Sequence, residues 1–192
     1  MPTRIEPLSP DDAEDETVAG LLQEAQNGWY RDTAFFGAMA YAPELFERIH
    51  ALFDTFPVAE DIDLELLELM RLRIAAVHEC AYCATVRTVA VEDTIAAKED
   101  AVMSTDIDEQ ALTTREAAAV RLADALANDP HRLSDAEFTA IRETFTIDEF
   151  VELLLFASIE VGLDRFCIAL RLDTTAESTY PSGLEYPYDR EG

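Results

Sequence analysis

The sequence predicts an all-α fold, and three observations carry that prediction. No segment of the 192 residues alternates apolar and polar side chains between hairpin turns, which is the pattern a strand pair requires. Apolar residues instead recur three or four apart in several separate stretches, the spacing of one helical face. Finally, Thr113-Thr114-Arg115-Glu116, Ser134-Asp135-Ala136-Glu137 and Thr146-Ile147-Asp148-Glu149 each match the capping box. In that pattern a hydroxyl and a carboxylate three residues apart satisfy the first free amides of a helix reciprocally. The length suits one domain, with or without a terminal extension, and suffices to bury a substantial core.

Residues 1–32 read as an N-terminal arm and first helix. Met1 to Pro10 holds three prolines and no sustained period. Ser9-Pro10-Asp11-Asp12 then offers a helix start, Val18, Leu21, Leu22 and Ala25 mark one apolar face, and Asn27-Gly28 is the expected stop. Trp29 and Tyr30 follow in a turn.

Residues 33–172 form the main domain. Pro43 is placed as the first residue of a helix carrying Leu45, Phe46, Ile49, Leu52 and Phe53, ended by Pro57. A leucine-rich run from Leu64 to Val77 breaks at His78-Glu79, and an Ala/Val/Thr-rich run begins after Cys80. This reads as an antiparallel helix pair joined by a short turn. The acidic stretch from Glu92 to Asp100 is a surface turn with a short helix near Ala101 and Met103. Of the three capped helices that follow, the first stops at Asn128-Asp129-Pro130. The last is long, with Phe150, Leu153, Leu154, Ala157, Val161, Leu163, Phe166 and Leu170 facing the core and Gly162 allowing a close approach. Residues 173–192 are a tail containing Tyr180-Pro181 and Tyr186-Pro187-Tyr188, either flexible or ordered against a neighbouring subunit.

A formal charge of −26 argues against nucleic acid and anionic membranes as partners, because both are repelled at long range. There is no apolar stretch of membrane-spanning length and no signal peptide, so a cytoplasmic protein is expected. Lys98 is the only lysine, and an acid-rich, lysine-poor surface suits a halophilic cytoplasm. Three cysteines, Cys80, Cys83 and Cys167, fit a reducing compartment with one working pair better than a secreted disulfide framework. Cys167 lies in the apolar run Phe166-Cys167-Ile168 and reads as a small buried hydrophobe; His50 reads as a solvated or packing residue.

Cys80 and Cys83 carry the chemistry. Two thiols separated by two residues close a small disulfide with little rearrangement and cycle by thiolate exchange, although the same spacing supplies half of many zinc sites. Here the pair falls in the first turn of a helix, where free amides favour the thiolate, and both side chains share one face. Glu68, twelve residues before Cys80, is either a partner for a nearby arginine or a base facing a pocket. His78 is either a turn residue or a nearby acid–base group. A zinc site using Cys80, Cys83 and His78 lacks a visible fourth ligand, so no metal and no organic cofactor is expected.

With Glu68 twelve residues before a Cys-x-x-Cys at a helix start, the sequence resembles the redox branch of the carboxymuconolactone decarboxylase / alkylhydroperoxidase D superfamily. The resemblance covers roughly Thr33 to Leu172, with weaker matches at Met39 to Pro43 and at Asp164-Arg165. It implies an AhpD-like helical domain assembling as a homo-oligomer, a trimer or a hexamer. It also implies that Cys83 attacks a hydroperoxide, that Cys80 resolves the sulfenic acid as a disulfide, and that a thiol protein donates electrons.

The sequence departs from that branch at Arg87, where a histidine four residues after the second cysteine is expected, and at Tyr82, often histidine. On a continuous helix Arg87 faces Cys83 and stabilises its thiolate without accepting its proton. Glu68 acting through water, or His78, is then the base. The expected function is a thiol-dependent oxidoreductase reducing hydroperoxides or exchanging disulfides. The alternatives are a carboxymuconolactone decarboxylase-like lyase and a non-catalytic redox sensor or structural oligomer.

Overall fold

Leu64–His78, labelled α4, is the axis around which the other elements gather. Asp63 starts it, its carboxylate accepting the Leu66 amide at 2.8 Å. Every residue from Leu66 to Ala76 is buried, as expected of a helix apolar almost all round. Leu69, Met70, Leu72 and Ile74 are wholly shielded, each contributing about 1.5–3 kcal/mol of apolar burial.

The computed structural model describes residues 3–188, and all regular elements among the described residues are helical. The remaining residues of the expected arm and tail, 1–2 and 189–192, lie outside the described residues. In chain order the other helices are α1 (Glu16–Glu24), α2 (Ala34–Met39), α3 (Pro43–Phe53), α5 (Ala81–Thr85), α6 (Glu92–Ile95), α7 (Glu99–Met103), α8 (Thr114–Asn128), α9 (Asp135–Arg142) and α10 (Ile147–Leu170). Helix α4 packs against α7, α8 and α10. The capping boxes of α8, α9 and α10 and Pro43 in the first turn of α3 form as the sequence predicts. Among the described residues no helix is long and apolar enough to cross a membrane.

Four local expectations are corrected. Ser9 to Asp12 closes a turn, with Ser9 Oγ on the Asp12 carboxylate at 2.6 Å. Helix α1 begins later, where Asp15 accepts the Thr17 and Val18 amides. Asn27-Gly28 does not stop it; the backbone widens into a π-turn at Ala25–Trp29. A Cβ on Gly162 meets nothing within 4 Å; the close approach is at Gly37, where a Cβ would collide with the Leu8 carbonyl and where Leu8 N–H donates to Gly37 O at 3.2 Å. The fourth correction concerns α5, which ends at Thr85 with Val86 extended (φ −81°, ψ 154°), so Arg87 stands beyond the helix.

The tail lies on its own chain. Asp32 accepts the Thr175 amide at 2.8 Å, the Tyr186 hydroxyl donates to Leu172 O at 2.9 Å and accepts the Tyr82 amide at 3.1 Å, and Tyr188 N–H donates to Glu79 O at 3.0 Å. Tyr180, Leu184, Tyr186 and Tyr188 pack on the same apolar cluster that holds all three cysteines.

Candidate functional site

The turn between α4 and α5 builds the site. Glu79 adopts a left-handed conformation (φ 54°), its amide closing back on Ala75 and Ala76, and Cys80 N–H donates to Ala75 O at 3.0 Å. That reversal makes Cys80 the capping residue of α5, with its sulfur accepting the Cys83 amide at 3.3 Å. Cys80 and Cys83 are joined as a disulfide. Both are buried, Cys80 completely and Cys83 to within 7%.

Glu68 and Arg71 form a buried bidentate ion pair at 2.6 and 2.8 Å. Thr88 adds its amide at 3.1 Å and its hydroxyl at 2.8 Å, so each Glu68 oxygen accepts twice. Burial alone would raise the Glu68 pKa, but the Arg71 charge and these hydrogen bonds hold it below the ordinary carboxylate range. Arg71 also donates to Cys83 O and Val86 O, both at 2.7 Å, and its guanidinium lies 5.4 Å from the Tyr30 ring centre. Those two carbonyls are among the orphans at the end of α5, and their capture by an arginine of α4 accompanies the helix's early stop.

The other residues singled out from sequence fall as follows. Arg87 pairs with Glu99 at 2.8 and 3.0 Å and donates to Ala84 O and Val86 O, which turns its guanidinium toward α7. His78 Nε2 donates to Ala127 O at 3.1 Å, and Nδ1 stands 3.2 Å from Asp164 Oδ2 without the alignment of a good hydrogen bond. Nε2 is thus committed to the end of α8, and Nδ1 stands beside Asp164. Tyr82 is buried, donating its hydroxyl to Asp32 at 2.7 Å.

Three residues complete the centre: Glu160, which the sequence did not single out, Asp164, named only within the weak Asp164-Arg165 match, and Cys167, read as a small buried hydrophobe and found buried. Glu160, Asp164 and Cys167 follow one another at i, i+4 and i+7 on α10, all buried on one face. With Tyr30, Arg71 and Cys83 they line a cavity of about 20 Å³, room for roughly one water. Among the described residues no donor reaches Glu160 Oε1. Burial pushes the Glu160 pKa up to about 8 against the opposing pull of Arg71. Burial likewise raises Asp164, with His78 opposing, and raises the Cys167 thiol, with Asp164 and Glu160 adding to the effect.

A second cavity of about 20 Å³ shares Tyr30, Arg71 and Glu160 and adds Trp29, Phe56, Leu64 and Glu68. Trp29, Phe56 and Leu64 also line an open groove of about 780 Å³. The i, i+4, i+7 spacing was visible in the sequence; the meeting of that face with α5 was not.

A buried thiol–disulfide pair, flanked by an ion pair and a neutral-range carboxyl, sits in an AhpD-like helical domain. Solved structures share that architecture. The apo debrominase Bmp8 superposes with a TM-score of 0.72 at 19% identity, covering 92% of this chain and 95% of that one. Bmp8 is also known in complex with 2,3,4-tribromopyrrole. The alkylhydroperoxidase AhpD core of a peroxidase-related protein from Ralstonia eutropha gives 0.71 at 18% identity over 92% and 95% of the two chains. A peroxidase-related protein from Silicibacter sp. gives 0.71 at 13% identity over 92% and 94%. No protein-family model matches the sequence, and no curated protein matches it.

Proposed function

We propose that this chain is a dithiol peroxidase of AhpD type, with Cys83 as the attacking sulfur, Cys80 as the resolving one and a thiol protein as electron donor. The observation that carries the reading is the Cys80–Cys83 disulfide beside a cavity lined by the Glu160 carboxyl, whose Oε1 has no partner and whose pKa is pushed up to about 8. Cys83 rather than Cys80 lines that cavity.

In the reduced protein, ionised Glu160 takes the Cys83 proton, directly or through a water. The thiolate attacks the peroxide oxygen, the O–O bond breaks, and the leaving oxygen receives the proton as water or alcohol. Cys80, its sulfur held by the Cys83 amide, then attacks the Cys83 sulfenic acid, forming the disulfide and releasing water. Two electrons and two protons from a donor dithiol restore the pair.

Glu68 acts here by holding Arg71 in place, and Arg71 in turn fixes the end of α5 through the Cys83 and Val86 carbonyls. Arg87 anchors α5 to α7, and His78 supports Asp164. The small cavity suits hydrogen peroxide, with Trp29, Phe56 and Leu64 as the approach from the open groove. The working protein is a homo-oligomer, a trimer or a hexamer, in a reducing cytoplasm.

The test is peroxide consumption at high salt with a dithiol reductant, alongside thiol titration. Turnover lost in Cys83→Ser supports the reading; turnover surviving in both Cys83→Ser and Cys80→Ser overturns it. Stoichiometric disulfide formation without turnover would instead identify a redox sensor. The debrominase neighbour supports a second substrate class, halogenated rings. Bromide released from tribromopyrrole, with loss of two thiols per chain, would identify it.

A further inference from the structure

Cys167 is the nucleophile that the proposed cycle leaves unused. Its sulfur and those of Cys80 and Cys83 all lie within 4.8 Å of one another. It comes from α10, more than eighty residues further along the chain, and is buried to within 1% of full shielding. It faces the same cavity as Cys83, and so does Glu160 with its unpartnered oxygen. A cysteine that only filled apolar space would need neither a disulfide at this distance nor carboxyls on its own face of the helix.

We propose that Cys167 is a second resolving cysteine, able to take over the bond to Cys83 so that the oxidised site exists in two disulfide forms. The proposal rests on the reading of Cys80 and Cys83 as a redox pair. In the exchange, the Cys167 thiol gives its proton to the carboxylate of Asp164, one turn earlier on α10, and its sulfur attacks Cys83 Sγ. The Cys83–Cys167 bond forms, the Cys80–Cys83 bond breaks, and Cys80 leaves as a thiolate with the electron pair. No oxidant or reductant is consumed. Cys83 is the central atom because it shares the cavity with Cys167, and Cys80 is the leaving group because its sulfur already accepts the Cys83 amide at 3.3 Å.

The groups facing Cys167 set the pace. Burial, Asp164 and Glu160 all disfavour the attacking thiolate, opposed by the Arg71 charge and a backbone hydrogen bond to the Cys167 sulfur. Exchange is therefore slow beside direct attack by Cys80 on the Cys83 sulfenic acid. The inner disulfide accumulates when peroxide outruns the donor, and it keeps Cys83 from further oxidation while Cys80 is free.

The experiment maps the bonds and needs no turnover. Wild-type protein is oxidised with hydrogen peroxide, quenched in acid, alkylated in denaturant and digested with trypsin without reduction. Cys80 and Cys83 share the fragment Ile74 to Arg87, whereas Cys167 falls in Phe166 to Arg171. Linkage of the two fragments, with one alkyl group on Cys80, is expected to grow with incubation time after the peroxide is removed. In Cys80→Ser, peroxide should reduce the alkylatable thiols from two per chain to none within the monomer.

Recovery of Cys167 wholly as free thiol in both proteins would overturn the proposal, whatever the peroxidase assay reports. Fragment linkage in a protein that fails to turn over peroxide would uphold the exchange and remove the peroxidase. The wild-type arm stands even if the serine variant does not fold.

Discussion

Replacing Glu160 by Gln isolates one buried charge. The carboxyl has a pKa of about 8 in the fold against an ordinary value of 4.5. A folded value above the unfolded one means that the neutral acid favours the native state. Its contribution is fully present below about pH 4.5 and is lost as pH rises through about 8. One pH unit between those limits is worth about 1.4 kcal/mol, so the whole window amounts to roughly 5 kcal/mol, with about 3 kcal/mol already lost at pH 7.

Gln cannot ionise and lacks this slope, while every other titrating group is common to both proteins. Urea denaturation of the two proteins at one protein concentration, in constant high salt, measures the difference. The stability of Glu160→Gln relative to wild type is expected to rise by roughly 3 kcal/mol between pH 5 and pH 7.5. A difference that does not change with pH would mean that the carboxyl is solvated or paired, and Glu160 could not then be the proton acceptor for Cys83.

Glu68→Gln should act in the opposite sense. Its folded pKa lies below the ordinary value, so its contribution is present above about pH 4.5 and lost as pH falls. Removing it strands Arg71 in the core, for an expected loss of about 3–5 kcal/mol at pH 7; a loss below about 1 kcal/mol in the same urea assay would refute a structural ion pair. Tyr186→Phe removes the hydroxyl shared by the Tyr82 amide and the Leu172 carbonyl, worth about 1–2 kcal/mol for the two bonds. Reduction of the Cys80–Cys83 disulfide by a small dithiol should then quicken about tenfold, and an unchanged rate would show that the tail does not govern access. With a net charge of −26, the urea midpoint should rise between 0.1 and 1 M salt as the screening length contracts from about 10 to 3 Å, and a flat or falling midpoint would contradict self-repulsion.

Features set within a few residues were legible in the sequence. The capping boxes at Thr113, Ser134 and Thr146 and the entry at Pro43 depend on neighbours no more than three positions away, and each formed as read. The turn that sets Cys80 at the start of α5 was legible for the same reason. The length of α5 was not, because it ends where Arg71, from another helix, holds the Cys83 and Val86 carbonyls. With that early stop, Arg87 lost the helical register that would have faced it toward Cys83.

Helix α10 shows the other limit. It carries apolar residues on nearly every side, so the core face read from its sequence does not mark which of its polar positions are buried. The buried residues include Glu160, Asp164 and Cys167, whereas Leu155 is 56% exposed. Glu160 was not singled out in the sequence and Asp164 only within the weak Asp164-Arg165 match; the packing of α10 on α5 makes both part of the centre.

The tail also orders events at synthesis. Tyr186 follows Tyr82 by 104 positions, so a nascent chain exposes the cysteine turn well before the residues that cover it have been made. During that interval the two thiols are open to cellular oxidants and reductants, and the tyrosine strap closes over whichever redox state it finds.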